Sequence, residues 1–191
     1  MGHEGVSWLE RPERTKEEGT DQLLDALDIK PTDVVADFGA GSGYFSFRIA
    51  ARATKGAVLA VDIQPEMLAA IEEKKQQHHV PTLRTILGTE KDPGLPQDSV
   101  DLVLLVDVYH ELRYPLETMQ AIARSLKPTG RVALVEYRGE DPSIPIKPLH
   151  KMTEAQVRKE MKLAGLTWLG TVNTLPQQHL IFFGKGEARR P

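Results

Sequence analysis

The sequence predicts a doubly wound α/β sheet, mostly parallel and finished by an antiparallel C-terminal hairpin. Three observations carry this. Apolar runs of strand length alternate with segments of helical periodicity through most of the chain. The run "SVDLVLLVDV" is almost continuous in apolar residues, as a strand buried on both faces requires. The last two apolar runs, "LTWLGTV" and "HLIFFGK", are separated only by "NTLPQQ", a spacing that suits a hairpin.

In chain order, Thr15 and Glu18 stand at capping-box spacing before "DQLLDAL", which predicts a first helix ending near Pro31. "DVVADF" reads as a buried strand. "GYFSFRIAARA" follows as a helix with Phe45 and Ile49 one turn apart, and "AVLAVD" as the second strand. Pro65 suits a first helical position ahead of "EMLAAIEEKKQQ", whose Met67 and Ile71 share a face. "TLRTIL" and "SVDLVLLVDV" are strands three and four. Pro115 opens another helix, with Leu116, Met119, Ala123 and Leu126 as its buried stripe, and "RVALVEY" is strand five. Thr153 and Gln156 repeat the capping-box spacing, and Gly165 closes the helix they begin. The hairpin completes seven strands, and no internal repeat is present.

Composition narrows the function classes. A chain of 191 residues suits one domain with a substantial core. A net charge of -3 argues against nucleic acid or an anionic membrane as partner. The absence of cysteine excludes disulfides, thiolate nucleophiles and cysteine metal sites, and fits a cytoplasmic location. No apolar stretch approaches membrane-spanning length, and "MGHEGVSWLERPERTKEE" lacks the apolar core of a signal peptide. A chain trimmed of a leader would look the same. The expected organisation is a lid or leader segment over 1–14, one domain over 15–186 and a frayed tail over 187–191, as a monomer or homodimer.

The most informative stretch is "VVADFGAGSGYF". Gly39, Gly41 and Gly43 fall where the first buried strand turns into a helix, and glycine there permits positive φ and close approach of a ligand to the backbone. The pattern is G-x-G-x-G. It departs from the dinucleotide fingerprint G-x-G-x-x-G because Tyr44 stands at the third glycine's place, and no Gly-Lys-Ser/Thr follows to make a phosphate loop. An acid, Asp37, precedes the glycines. It disfavours phosphate and suits a ligand carrying an ammonium or sulfonium. A second acid, Asp62, ends strand two, where a carboxylate can accept both hydroxyls of a ribose.

At these residues the chain resembles the class I S-adenosylmethionine-dependent methyltransferases. "VVADFGAGSGYF" is similar to their first motif and "VLAVDIQPEML" to the acidic motif after it, while "DSVDLVLLVDVYHEL" and "LKPTGRVALVEY" resemble the motifs of strands four and five. Order and spacing agree from Val34 to Tyr137. The resemblance implies a Rossmann-like seven-stranded sheet with a reversed last strand, S-adenosylmethionine as cofactor and S-adenosylhomocysteine as product. It also implies a small-molecule acceptor, as in the group that contains the quinone-biosynthesis methylases. By the same resemblance, Asp37, Gly39 and Gly41 line the methionine part of the cofactor, with Ala40, Gly43 and Tyr44 as further cofactor-binding candidates. Asp62 binds the ribose and Ile63 packs on the adenine. After strand three the family often places an acid near the adenine amino group. Here the stretch holds Gly88 and Thr89, so Glu90 or Asp92 would take that part. Asp107, ending strand four, falls beside the cofactor's amino group; the plain alternative is a strand-end or cap acid.

Methyl transfer from a sulfonium is an in-line displacement. Alignment and desolvation are then the main contribution, an effect that reaches ~7–11 kcal/mol in well-oriented systems. A base is needed only when the acceptor must lose a proton. "DVYHEL" lies where the family places residues that face the methyl group. Tyr109 is a candidate to orient an acceptor and His110 the first candidate base; the alternative for His110 is packing under the next helix. His110-Glu111 does not begin an H-E-x-x-H zinc motif, because residue 114 is Tyr, and no metal is expected. The proline-stiffened segment "EYRGEDPSIPIKPLHKMT" lies at the carboxyl end of the sheet. Of its polar residues, which include Glu136, the substrate-binding candidates are Tyr137, Arg138, Lys147 and His150. Trp8, in the charged N-terminal segment, is the candidate anchor of a lid docking near that loop. His78 and His79 read as solvated and His179 as structural.

Two function classes remain on the sequence alone. The leading one is a methyltransferase acting on a small molecule. The other is a binding module that senses S-adenosylmethionine or serves as a partner subunit without turnover. A nicotinamide oxidoreductase is disfavoured by Asp37 and Tyr44.

Overall fold

The computed structural model describes residues 10–185. Two short helices lead in, α1 (Arg14–Glu17) and α2 (Thr20–Ala26). β1 (Val34–Phe38), α3 (Tyr44–Ala50), β2 (Ala57–Asp62), α4 (Pro65–His78) and β3 (Leu83–Leu87) form the first half of the sheet. β4 (Val100–Val106), α5 (Pro115–Ser125), β5 (Leu126–Arg138), the two-residue β6 (Lys151–Met152), α6 (Glu154–Leu163), β7 (Leu166–Val172) and β8 (Gln178–Lys185) form the second. Among the described residues no helix is long and apolar enough to cross a membrane.

The strand order is β3-β2-β1-β4-β5-β8-β7, with β6 paired to β5 outside this path. β1 to β5 run parallel, and β8 is antiparallel to both β5 and β7. The expected seven-stranded sheet with its closing hairpin is therefore present, with the small β6 added. Chain order reverses direction between β1 and β4. The loops leaving these two strands diverge there and open a crevice beyond their carboxyl ends.

Strand alternation divides the core. Val35, Val58, Leu102 and Leu104 face one side with Leu23 and Leu24 of α2, Phe45 and Ile49 of α3 and Ile71 of α4. Ala36, Leu59, Val103 and Leu105 face the other with Met119 and Ile122 of α5 and Val157 and Met161 of α6. Pro65 and Pro115 occupy first-turn positions of α4 and α5, where the missing N–H costs nothing. Thr153 caps α6, its hydroxyl accepting from Gln156 N at 3.2 Å, while the Gln156 side chain turns away to Glu160. Gly165 follows at φ +83°.

Two local expectations change. Thr15 and Glu18 form no capping box: Thr15 Oγ1 lies 3.0 Å from the Tyr44 hydroxyl and Glu18 pairs with Arg14 at 2.8 Å. Thr15 lies inside α1 rather than at its cap, its hydroxyl reaches Tyr44, and Glu18 turns back one helical turn to Arg14. Of the expected stripe Leu116 is exposed, while Met119 and Leu126 are buried and Ala123 is partly buried; Thr118, Ala121, Ile122 and Ser125 join them. The helix is rotated so that Thr118 Oγ1 reaches the carbonyls of Tyr114 and Glu90.

Candidate functional site

The glycine loop is tied to the end of β2. Gly39 N and Ala40 N donate to the Val61 carbonyl at 2.8 and 3.0 Å, and Gly41 N donates to Asp62 Oδ2 at 2.9 Å. Gly39, Gly41 and Gly43 all have positive φ, at +75°, +53° and +81°. A Cβ on Gly39 would stand 2.5 Å from Val108 Cγ2, so the loop's close approach to the β4 end depends on glycine. Gly43 caps α3 and lies against Phe47 and Ile71. The other Asp62 oxygen accepts from Gln64 N at 2.9 Å.

Three acids converge here. Asp37 is buried and accepts from Ser46 Oγ at 2.6 Å. Burial pushes its carboxyl up to about 6, with Asp62 adding to the rise and Ser46 and Arg14 opposing it. Asp107 adopts φ +54°, and its Oδ2 accepts from Gln178 Nε2 at 2.7 Å. Its Oδ1 is buried and has no hydrogen-bond partner among the described residues. Burial, with the charges of Glu136 and Glu18, holds this carboxyl well above the ordinary range.

A cavity of about 420 Å³ joins these groups, within the range of small-molecule sites. Asp37, Gly39, Ala40, Gly41, Tyr44, Asp62, Ile63, Thr89, Glu90 and Asp107 line it. Gly43 and Gly88 support it from behind, Gly88 N donating to the Asp62 carbonyl at 2.9 Å. Asp92, the alternative to Glu90, closes its own turn by accepting from Gly94 N at 2.8 Å.

The far end of the cavity holds His110, Tyr137 and His150. His110 sits in a single 3-10 turn, Tyr109–Glu111, directly after β4. Its Nδ1 lies 2.6 Å from Glu136 Oε2 and its Nε2 lies 2.9 Å from His150 Nδ1. Glu136 is fully buried on β5, and its Oε1 accepts from Tyr109 N at 2.9 Å. Burial alone would lower the His110 pKa, but the Glu136 hydrogen bond and charge raise it overall.

Three sequence candidates point elsewhere. Tyr109, expected to orient an acceptor, is buried and donates its hydroxyl to Glu160 Oε2 at 2.7 Å, because adjacent residues in the tight turn face opposite ways. Arg138 donates to the carbonyls of Leu175 and Gln178 at 3.0 and 2.7 Å and ties the hairpin turn to β5 rather than reaching the cavity. Lys147 is exposed and does not line the cavity. Trp8 lies outside the described residues. Arg11, Arg14 and Glu18 were not among the site candidates, although Arg11 and Arg14 fall in the expected lid or leader segment; all three line the cavity. The Arg14 guanidinium lies 4.3 Å from the centre of the Tyr44 ring, whose hydroxyl is 3.1 Å from Thr20 Oγ1. The charged "ERPER" stretch was the available signal. Gln178 gave none, because only the hairpin brings it to Asp107.

The methyltransferase domain family matches residues 36–134, just over half of the chain. This chain belongs to that family. A methyltransferase-like protein of Schizosaccharomyces pombe is 35% identical over 126 residues, covering 66% of this chain and 46% of its own. A Mycobacterium tuberculosis methyltransferase is 36% identical over 101 residues, covering 53% and 38%. The chain thus spans less than half the length of these two relatives. Among solved structures, a SAM-dependent methyltransferase from Aquifex aeolicus superposes with a TM-score of 0.88 at 22% identity, over 96% of this chain and 98% of that one. At that identity the likeness is one of fold. It is the Rossmann-like fold of class I, S-adenosylmethionine-dependent members of the family.

Proposed function

We propose that this methyltransferase domain transfers the methyl group of S-adenosylmethionine to a small-molecule acceptor bound at the His110 end of the cavity. One observation carries the reading: a single cavity connects the glycine loop and its three acids to a furnished polar end built on His110, Glu136 and His150.

The residues fit the cofactor. Asp107 lines the cavity, and its buried Oδ1, without a hydrogen-bond partner among the described residues, suits an ammonium there. Gly39 lines the cavity and lets the loop pack directly on Val108 at the end of β4, where any side chain would clash. Asp62, at the β2 end, is placed for ribose hydroxyls, and Ile63, with about half its surface exposed at 51%, offers an apolar face to the adenine. Glu90 and Thr89 line the adenine side, and Asp37 balances positive charge near the sulfonium. Bound there, the cofactor supplies an activated methyl group for in-line transfer and leaves as S-adenosylhomocysteine.

The chain's own task is alignment and exclusion of water. At the acceptor end His110 is the catalytic residue of the proposal. Glu136 orients the ring through Nδ1, and Nε2 lies 2.9 Å from His150 Nδ1 at the cavity wall. Tyr137 and His150 complete the wall. Arg11 and Arg14 line the cavity, which supports a covering role for the described end of the N-terminal segment, residues 10–14.

The test is a library of hydroxylated, amine and thiol acceptors assayed for S-adenosylhomocysteine release. Turnover with at least one class, lost in His110→Ala at unchanged cofactor affinity, supports the reading. Tight cofactor binding with no release across the library favours the sensor or partner-subunit alternative.

A further inference from the structure

We propose that His110, His150 and Glu111 form a site for a divalent first-row transition cation at the acceptor end of the cavity. One ligand atom from each of the three lies within 4.8 Å of the others, and His110 Nε2 stands 2.9 Å from His150 Nδ1. Two imidazole nitrogens on one tetrahedral ion, each at ~2.0–2.1 Å, are ~3.3 Å apart. The pair needs to open by only a few tenths of an ångström.

The shell behind the donors gives a second, independent argument. Glu136 is fully buried and lies 2.6 Å from His110 Nδ1. An Nδ1–H donated to that carboxylate leaves the lone pair on Nε2, turned toward His150. A carboxylate behind an imidazole is the usual way a ligating histidine is oriented. His150 is fixed from the other side by the Pro148–His150 turn, its backbone N–H donating to the Lys147 carbonyl at 2.9 Å. The second histidine therefore comes from 40 residues along the chain, which is why the Tyr at position 114 is no obstacle.

Two imidazoles and one carboxylate suit zinc or iron(II) better than magnesium or calcium, which prefer all-oxygen sites. Three protein ligands leave a position open, and all three residues border the cavity. An acceptor that offers an oxygen donor, such as a hydroxylated small molecule, would fill it. That last step rests on the methyltransferase reading; binding of the ion does not.

The test uses chelator-treated protein in a His78→Ala/His79→Ala background, which removes the exposed adjacent pair. Zn²⁺ is titrated by calorimetry and Co²⁺ by its visible absorption. The site predicts one ion per chain, with affinity falling at least tenfold in His150→Ala and in Glu111→Ala. Glu136→Gln should cost about 10–100-fold. Glu111 is exposed, so its variant keeps the test decisive if His150→Ala misfolds by circular dichroism. No saturable binding, or binding unchanged in both ligand variants, overturns the site. Titration of the same samples with S-adenosylhomocysteine separates the two claims. Cofactor binding without ion binding overturns the metal site alone. Ion binding without cofactor binding leaves the site standing and removes the functional reading.

Discussion

Asp62 and Asp37 do different work at the same loop. Asp62 already accepts from Gly41 N and Gln64 N, so it shapes the loop before any ligand arrives. Asp62→Ala should lower S-adenosylhomocysteine affinity at least tenfold and also cost about 1–3 kcal/mol of stability from the unpaired amides, read by calorimetry and thermal melts. Asp37 carries the pH dependence. Burial raises its carboxyl to about 6, so its contribution to folding stability is present below the ordinary pKa of 3.8 and is lost as pH rises through about 6. A ligand bearing a sulfonium favours the ionised form, so S-adenosylmethionine affinity should increase as pH rises through about 6. Asp37→Asn should flatten that dependence in a calorimetric pH series. An unchanged slope in the variant would assign the dependence to another group.

The elements show which parts of the chain speak for themselves. The β1 and β4 runs, the prolines opening α4 and α5, and the glycines after β1 were legible because each is dictated by local chemistry. Gly39→Ala tests the loop: at φ +75° and with Val108 Cγ2 2.5 Å from the new Cβ, it should weaken cofactor binding and lower the melting temperature together. The capping box at Thr15 and Glu18 and the burial of Leu116 were misread. Thr15 lies inside α1 with its hydroxyl on Tyr44. The stripe keeps Met119, Ala123 and Leu126 but brings in Thr118, bonded to the Glu90 carbonyl, in place of Leu116. The Tyr109–His110 pair was half legible. Its place at the end of β4 followed from the pattern, but which side chain faces the cavity depends on a 3-10 turn that no periodicity announces. Tyr109→Phe should therefore cost about 1.5–3 kcal/mol through its lost bond to Glu160. Acceptor KM should stay unchanged, read by denaturant titration and steady-state kinetics.

At the scale of the whole molecule, reversal of strand order between β1 and β4 places the cavity, and the N-terminal helices border it through Arg14 and Glu18. Deleting residues 2–14 should reduce turnover strongly. It should also lower stability, because Arg14 is buried between Glu18 and the Tyr44 ring. The site combines features that sequence spacing could reveal, such as Asp37 and the glycines, with others that only the fold assembles, such as Gln178 on Asp107 and His150 on His110. The central claim is that this cavity takes the methyl-donor cofactor. Calorimetric titration with S-adenosylhomocysteine tests it most directly. The account predicts one saturable site per chain, weakened at least tenfold by Asp62→Ala in a variant whose circular dichroism stays native. Absence of binding in the wild-type chain, or saturable binding of NAD in its place, would contradict it.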